Sequence, residues 1–132
     1  MKEDSKILVL GSRGLVGSSI VRELKRQGYK NILTPLRPDL DLAIQADVLA
    51  YFKNQRPEYV FNAAAKVGGI KANNTYRADF IFDNLRIQNN VFEAAFKYPV
   101  KKLLFLRWVL YFIEFFGMFV ALCPIMTNHK IH

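Results

Sequence analysis

The sequence predicts an α/β domain built on a doubly wound parallel sheet, truncated after about four strands. Short apolar runs recur along the chain, stretches of helical period separate them, and a glycine-rich turn joins the first run to the first helix. Strands alternating with helices at this spacing specify a parallel sheet with helices on both faces and right-handed crossovers.

Lys6-Ile7-Leu8-Val9-Leu10 is rich in branched residues and stops at Gly11, which predicts a buried parallel strand. From Gly14 the period changes: Leu15, Val16, Ile20, Val21 and Leu24 recur at helical spacing until Gly28, a residue suited to a helix stop. Asn31 to Thr34 predicts a second brief strand ended by Pro35, and Ala43 to Asn54 a helix carrying Val48, Leu49 and Phe52 on one face. Tyr59-Val60-Phe61 begins a third strand that runs into Asn62 and three alanines. Asp79 to Tyr98 carries a long helical pattern with Ile81, Leu85, Val91, Phe92 and Ala95, and Lys101 to Leu106 reads as a fourth strand.

The chain has 132 residues, of which 52% are apolar and 23% charged, so it is globular rather than disordered. Its single cysteine, Cys123, excludes an internal disulfide framework and a paired-cysteine metal knot. The N-terminus holds only four apolar residues in a row, too few for a secretory segment, and the cytoplasm is the expected compartment. The formal net charge is +8, but the basic residues are scattered in short pairs such as Lys25-Arg26, with no aromatic-interleaved stripe. Binding to nucleic acid or to an anionic membrane is therefore a weak reading, and neither is an expected partner.

The chemistry lies in the turn after the first strand. Gly11-Ser12-Arg13-Gly14-Leu15-Val16-Gly17 has the spacing GxxGxxG, a variant of the dinucleotide fingerprint, which makes the predicted sheet Rossmann-like. Gly11 permits a tight turn off the strand, Gly14 lets the backbone approach a pyrophosphate, and Gly17 lets helix and strand pack closely. The helix N-terminus then offers unpaired N–H groups and a partial positive charge to an anion. An NAD site of this type places an acid at the end of the second strand to take the ribose hydroxyls, yet that strand end here reads Thr34-Pro35-Leu36-Arg37. Arg37 and Arg13 instead favour the 2′-phosphate of NADP(H), since a guanidinium pairs bidentately with phosphate and a carboxylate would repel it. The bland alternative for Arg37 is a solvated surface charge. Ala63-Ala64-Ala65 leaves room for a ligand at the C-terminal end of the third strand, or packs under a helix; Lys66 faces either a phosphate or water.

These residues resemble a known family. Gly11 to Gly17, Arg37-Pro38-Asp39-Leu40-Asp41-Leu42 and above all Ala63 to Tyr76 are similar to GDP-L-fucose synthases, extended short-chain dehydrogenase/reductases of the NAD-dependent epimerase/dehydratase family. The resemblance continues through Phe80-Ile81, Asn84, Gln88-Asn89-Asn90 and Lys101 to Leu106. It implies an NADPH-dependent enzyme, homodimeric when intact, that epimerises GDP-4-keto-6-deoxy-D-mannose at two centres and reduces its ketone to give GDP-L-fucose. The family's cofactor-contacting arginines match Arg13 and Arg37, its adenine-flanking residues match Asp41 and Leu42, and its alanine stretch matches Ala63 to Ala65.

The resemblance stops between Leu106 and Arg107. There the family continues Gly-Ser-Ser-Cys-Ile-Tyr-Pro-Lys, with a catalytic serine and an epimerising cysteine, whereas this chain reads Arg107-Trp108-Val109-Leu110-Tyr111-Phe112. The Tyr-x-x-x-Lys pair expected beyond that point has no counterpart, because Tyr111 is the last tyrosine and Phe115 follows it by four. The expectation is a cofactor-binding half domain over residues 1–106 without reductase or epimerase activity. The tail 107–132 carries only Arg107, Glu114 and Lys130 as charges and has three readings. It is a membrane helix over Trp108 to Met126 interrupted by Glu114, a soluble helix on the sheet, or a product of a frameshift or truncation, which the abrupt stop favours. The alternative functions are a small nucleotide-binding module without catalysis and a tail-anchored, membrane-associated fragment.

Overall fold

The computed structural model describes residues 1–64, 77–108 and 118–123. The elements are β1 (Ile7–Leu10), α1 (Leu15–Arg26), β2 (Ile32–Leu33), α2 (Gln45–Gln55), β3 (Tyr59–Asn62), α3 (Arg77–Lys97), β4 (Lys102–Trp108) and β5 (Met118–Cys123). The sheet order is β2-β1-β3-β4-β5. The first four strands are parallel, in register Leu8 with Leu33 and Val60, and Val60 with Leu103.

Side chains of β1 alternate between two layers, which explains why its apolar run is unbroken. Leu8 and Leu10 join Val48 and Phe52 of α2 and Val91, Ala94 and Ala95 of α3 in one buried cluster. Ile7 and Val9 meet Leu24, Ile20 and Val21 of α1 in the other. Helices thus cover both faces, as the alternation of elements requires. Phe92 of α3 stacks on Phe105 of β4 with ring centroids 5.3 Å apart, which ties the long helix to the fourth strand.

The helix stop at Gly28 is met as expected. Gly28 takes φ +91°, its N–H donates to Lys25 and the Tyr29 N–H to Leu24, pairing that closes the last turn around a left-handed residue. α2 ends at Arg56, which has φ 48° although it is not a glycine, and its guanidinium lies over the Tyr98 ring at 4.7 Å.

The expected parallel four-stranded sheet is present, and Met118–Cys123 of the apolar tail adds a fifth strand, antiparallel to β4, with Leu103 opposite Cys123 and Trp108 opposite Met118. A single helix over Trp108 to Met126 is therefore not what the chain forms at 118–123. Among the described residues no helix is long and apolar enough to cross a membrane. β4 itself runs to Trp108, two residues past the expected boundary. Within the helical pattern, Leu85 is exposed while Val91 is buried, because six residues at about 100° each carry it well round the helix from that stripe.

Two outcomes follow from the packing. Phe52→Ala, at a fully buried position, is expected to cost about 4 kcal/mol in urea denaturation, whereas Phe96→Ala, on an exposed ring, costs less than about 0.5 kcal/mol. At the foot of the sheet Lys101 Nζ lies 2.6 Å from Glu58 Oε2 and holds that carboxyl below its ordinary value of 4.5. A lowered folded value means that the contribution is complete above pH 4.5 and is lost as pH falls through it. Glu58→Gln is thus expected to flatten the decline of the urea midpoint below pH 4.5, and high salt to shrink the difference.

Candidate functional site

The strand order reverses beside β1: the chain leaves β1 for β2 on one side and returns to β3 on the other. Parallel sheets open a crevice at the C-terminal ends of the strands at such a point. The Ala63 N–H donates to the Leu10 carbonyl at 2.9 Å, which brings the end of β3 against the glycine turn.

The three glycines of that turn are required for different reasons. Gly11 takes φ +76°, and a Cβ there would stand 2.7 Å from the Ala63 carbonyl carbon and the Ala64 nitrogen. A Cβ on Gly17 would stand 1.9 Å from the Gly11 oxygen, so only glycine lets α1 start this close to the strand end. Gly14 differs. Its φ of −70° suits any residue, and a Cβ would only touch the Gly11 oxygen at 3.4 Å. Nothing in the protein's own packing calls for glycine at position 14; a ligand resting on the helix start would.

That helix start is open to an anion. Gly14 caps α1 without any side-chain hydrogen bond, and the first turn contains no acid. The uncompensated N–H groups and helix dipole point toward the turn, the arrangement that binds phosphates.

Beside it lies a cleft of about 550 Å³. One wall is Leu10, Gly11, Ser12 and Arg13, and the facing wall is the segment from Pro35 to Ala43. Ala64 and, from α3, Asp83 and Ile87 complete the lining. Of the residues expected from the sequence, Gly11, Ser12, Arg13, Arg37, Asp41, Leu42 and Ala64 are brought together here. Gly14, Leu15, Val16, Gly17 and Ala63 are not part of the lining; the first four open α1 and Ala63 packs its backbone on Gly11. Ala65, Lys66 and the run through Tyr76 lie outside the described residues.

Arg13 and Arg37 are both exposed at the cleft, one from each wall, and among the described residues neither makes an ion pair or hydrogen bond. Two unneutralised guanidiniums beside an open helix N-terminus suit a ligand with several phosphates. The facing wall is shaped by its own acids. Asp39 Oδ2 accepts from the Leu36 N–H at 3.2 Å, and Asp41 Oδ1 accepts from the Ala43 N–H at 3.0 Å. Burial pushes the Tyr51 phenol of α2 above its usual value, with the nearby Asp39 carboxylate adding to the effect. Asp41 therefore holds a turn as well as lining the cleft. At the end of β3, Asn62 is fully buried; its Oδ1 accepts from the Ala64 N–H at 3.0 Å, and its Nδ2 has no partner among the described residues.

The contribution of α3 was not expected. Asp83 and Ile87 are four residues apart, the spacing that puts two side chains on one helical face, and this polar–apolar pair hid among surface positions. The chain does contain one Tyr-x-x-x-Lys spacing, Tyr98 to Lys102, but it joins the end of α3 to the start of β4 at the opposite end of the sheet from the cleft. Among the described residues no cluster of histidine, cysteine or acid side chains could hold a metal ion.

Comparison with known proteins agrees with this geometry. Residues 7–107 match the NAD dependent epimerase/dehydratase family. GDP-L-fucose synthase 1 of Arabidopsis thaliana is 57% identical over 104 residues, covering 79% of this chain and 32% of that protein. GDP-L-fucose synthase of Escherichia coli K12 is 45% identical, covering 76% of this chain and 32% of that protein. A GDP-mannoheptose C4 reductase from Campylobacter jejuni with NADP bound superposes with a TM-score of 0.76 at 44% identity, covering 80% of this chain and 33% of that one. The chain thus spans about a third of the length of the relatives it matches.

The glycine geometry separates two substitutions. Gly17→Ala is expected to cost about 3 kcal/mol in urea denaturation, because backbone must move to admit the methyl. Gly14→Ala is expected to leave the unfolding midpoint within experimental scatter of the parent.

Proposed function

The chain belongs to the NAD dependent epimerase/dehydratase family, and from that premise we propose that it is the cofactor-binding part of a GDP-L-fucose synthase-type enzyme and grips NADP(H) in the cleft beside α1. One observation carries the choice of coenzyme. Where an NAD site would hold a carboxylate, the cleft presents Arg37, with Arg13 opposite, and both guanidiniums are uncompensated.

The first-turn N–H groups of α1 take the pyrophosphate, with Gly14 leaving the room. Arg13 and Arg37 hold the 2′-phosphate, and the Asp41–Leu42 segment with Ala64 bounds the adenosine. The bound coenzyme supplies a hydride for reducing a carbonyl. The substrate is GDP-4-keto-6-deoxy-D-mannose, a reading supported by the identity to GDP-L-fucose synthases. Reduction also requires a group that delivers a proton to the developing alkoxide beside the nicotinamide. The Tyr98–Lys102 spacing lies at the wrong end of the sheet for that task, so these 132 residues bind the coenzyme without turning over the keto sugar.

Titration calorimetry tests this reading. NADPH is expected to bind at least tenfold more tightly than NADH, and Arg37→Gln to weaken NADPH by about tenfold while changing NADH by less than about twofold, the loss of a charge-assisted contact. Gly14→Ala is expected to weaken both coenzymes. No heat with NADPH, or measurable conversion of the keto sugar by the 132-residue chain, would contradict the corresponding half of the proposal.

A further inference from the structure

The wall of the cleft facing the glycine turn has no regular structure between β2 and α2, and its own hydrogen bonds are short-range. The Asp39 and Leu40 N–H groups donate to Leu36, and the Ala43 and Ile44 N–H groups donate to Asp41. Such local bonds fix a turn's shape but not its place in the molecule. Among the described residues one hydrogen bond joins residues 36–43 to a distant element: Asn90 Nδ2 donates to the Leu42 carbonyl at 2.8 Å. Asn90 is only 6% exposed, so this bond is shielded from water and its loss would leave a buried donor or acceptor unpaired. Asn90 also follows Ile87 by three and Asp83 by seven, which puts it on the stripe of α3 that lines the cleft.

Resting on the NADP(H) reading above, we propose that Asn90 is a positioning residue for the adenosine end of the coenzyme. By holding the main chain at Leu42 it sets the distance between the two walls of the cleft. It touches no ligand and acts through Leu42. Leu40, buried in the core, anchors the front of the segment, and Leu42 packs its side chain against the same core. Asn90 thus fixes the main chain at Leu42 rather than carrying the segment alone, and the consequence of its loss is confined to the part from Asp41 to Ile44. The open start of α1 is built by other residues, and anion binding there does not depend on it.

The test uses the full chain with Asn90→Leu, which keeps the branched outline and removes the donor, and Asn90→Gln, which keeps a carboxamide. The probes are NADPH, adenosine 2′,5′-bisphosphate and inorganic pyrophosphate. Asn90→Leu is expected to weaken NADPH and the bisphosphate by about tenfold and pyrophosphate by less than about twofold, with Asn90→Gln recovering most of the loss. In amide hydrogen exchange, Asn90→Leu is expected to speed exchange at Ala43 and Ile44 while leaving Tyr59 to Asn62 protected. Unchanged coenzyme affinity in Asn90→Leu, parallel weakening of pyrophosphate, or faster exchange throughout β3 would each overturn the proposal. Failure of the unaltered chain to bind NADPH would instead defeat the cofactor reading. Exchange confined to Ala43 and Ile44 would then still support the hold of Asn90 on Leu42.

Discussion

Three backbone segments meet at one point in this fold: the end of β1, the start of α1 and the end of β3. The Cβ position of Gly17 lies 1.9 Å from the Gly11 oxygen, and that of Gly11 lies 2.7 Å from the Ala63–Ala64 peptide. Side chains are excluded from both contacts, so main chain packs on main chain. The helix axis, and with it the direction of the free N–H groups, is fixed by that contact. The second cluster depends on it too, since Leu24, Ile20 and Val21 reach Ile7 and Val9 only when α1 starts at this distance.

The opposite wall is held by different means. Between Pro35 and Ile44 the chain makes two turns secured by Asp39 and Asp41, buries Leu40 in the core and takes one bond from α3. The glycine wall is thus defined by steric exclusion, and the opposite wall by the apolar packing of Leu40 and Leu42 together with a few hydrogen bonds. Arg13 and Arg37 stand on opposite walls, so their separation follows whatever sets the gap.

Much of this was legible in the residues. The unbroken run Ile7 to Leu10 indicated a strand covered on both sides, because an amphipathic strand would alternate. The glycine spacing placed the turn, and Arg13 and Arg37, singled out from the sequence, both line the cleft. The contribution of α3 escaped notice because Asp83, Ile87 and Asn90 mix polar and apolar character, and a hydrophobic period cannot register a stripe whose partner is a loop. Leu85 shows the complementary case: it is apolar but lies outside the stripe that Val91, Ala94 and Ala95 turn to the sheet. The strand Met118–Cys123 was hidden because a wholly apolar run has no period and it lies within the longer apolar stretch Trp108 to Met126, whose length fits a helix.

That fifth strand has a consequence for how the sheet can grow. Its antiparallel register, from Leu103 opposite Cys123 to Trp108 opposite Met118, occupies the outer row of β4 amides and carbonyls. Any further strand that pairs directly with β4 on this side, whether from the same polypeptide or another, would compete for those same groups and could join only by strand exchange. The outer edge of β4 therefore has two mutually exclusive neighbours, its own tail or another strand.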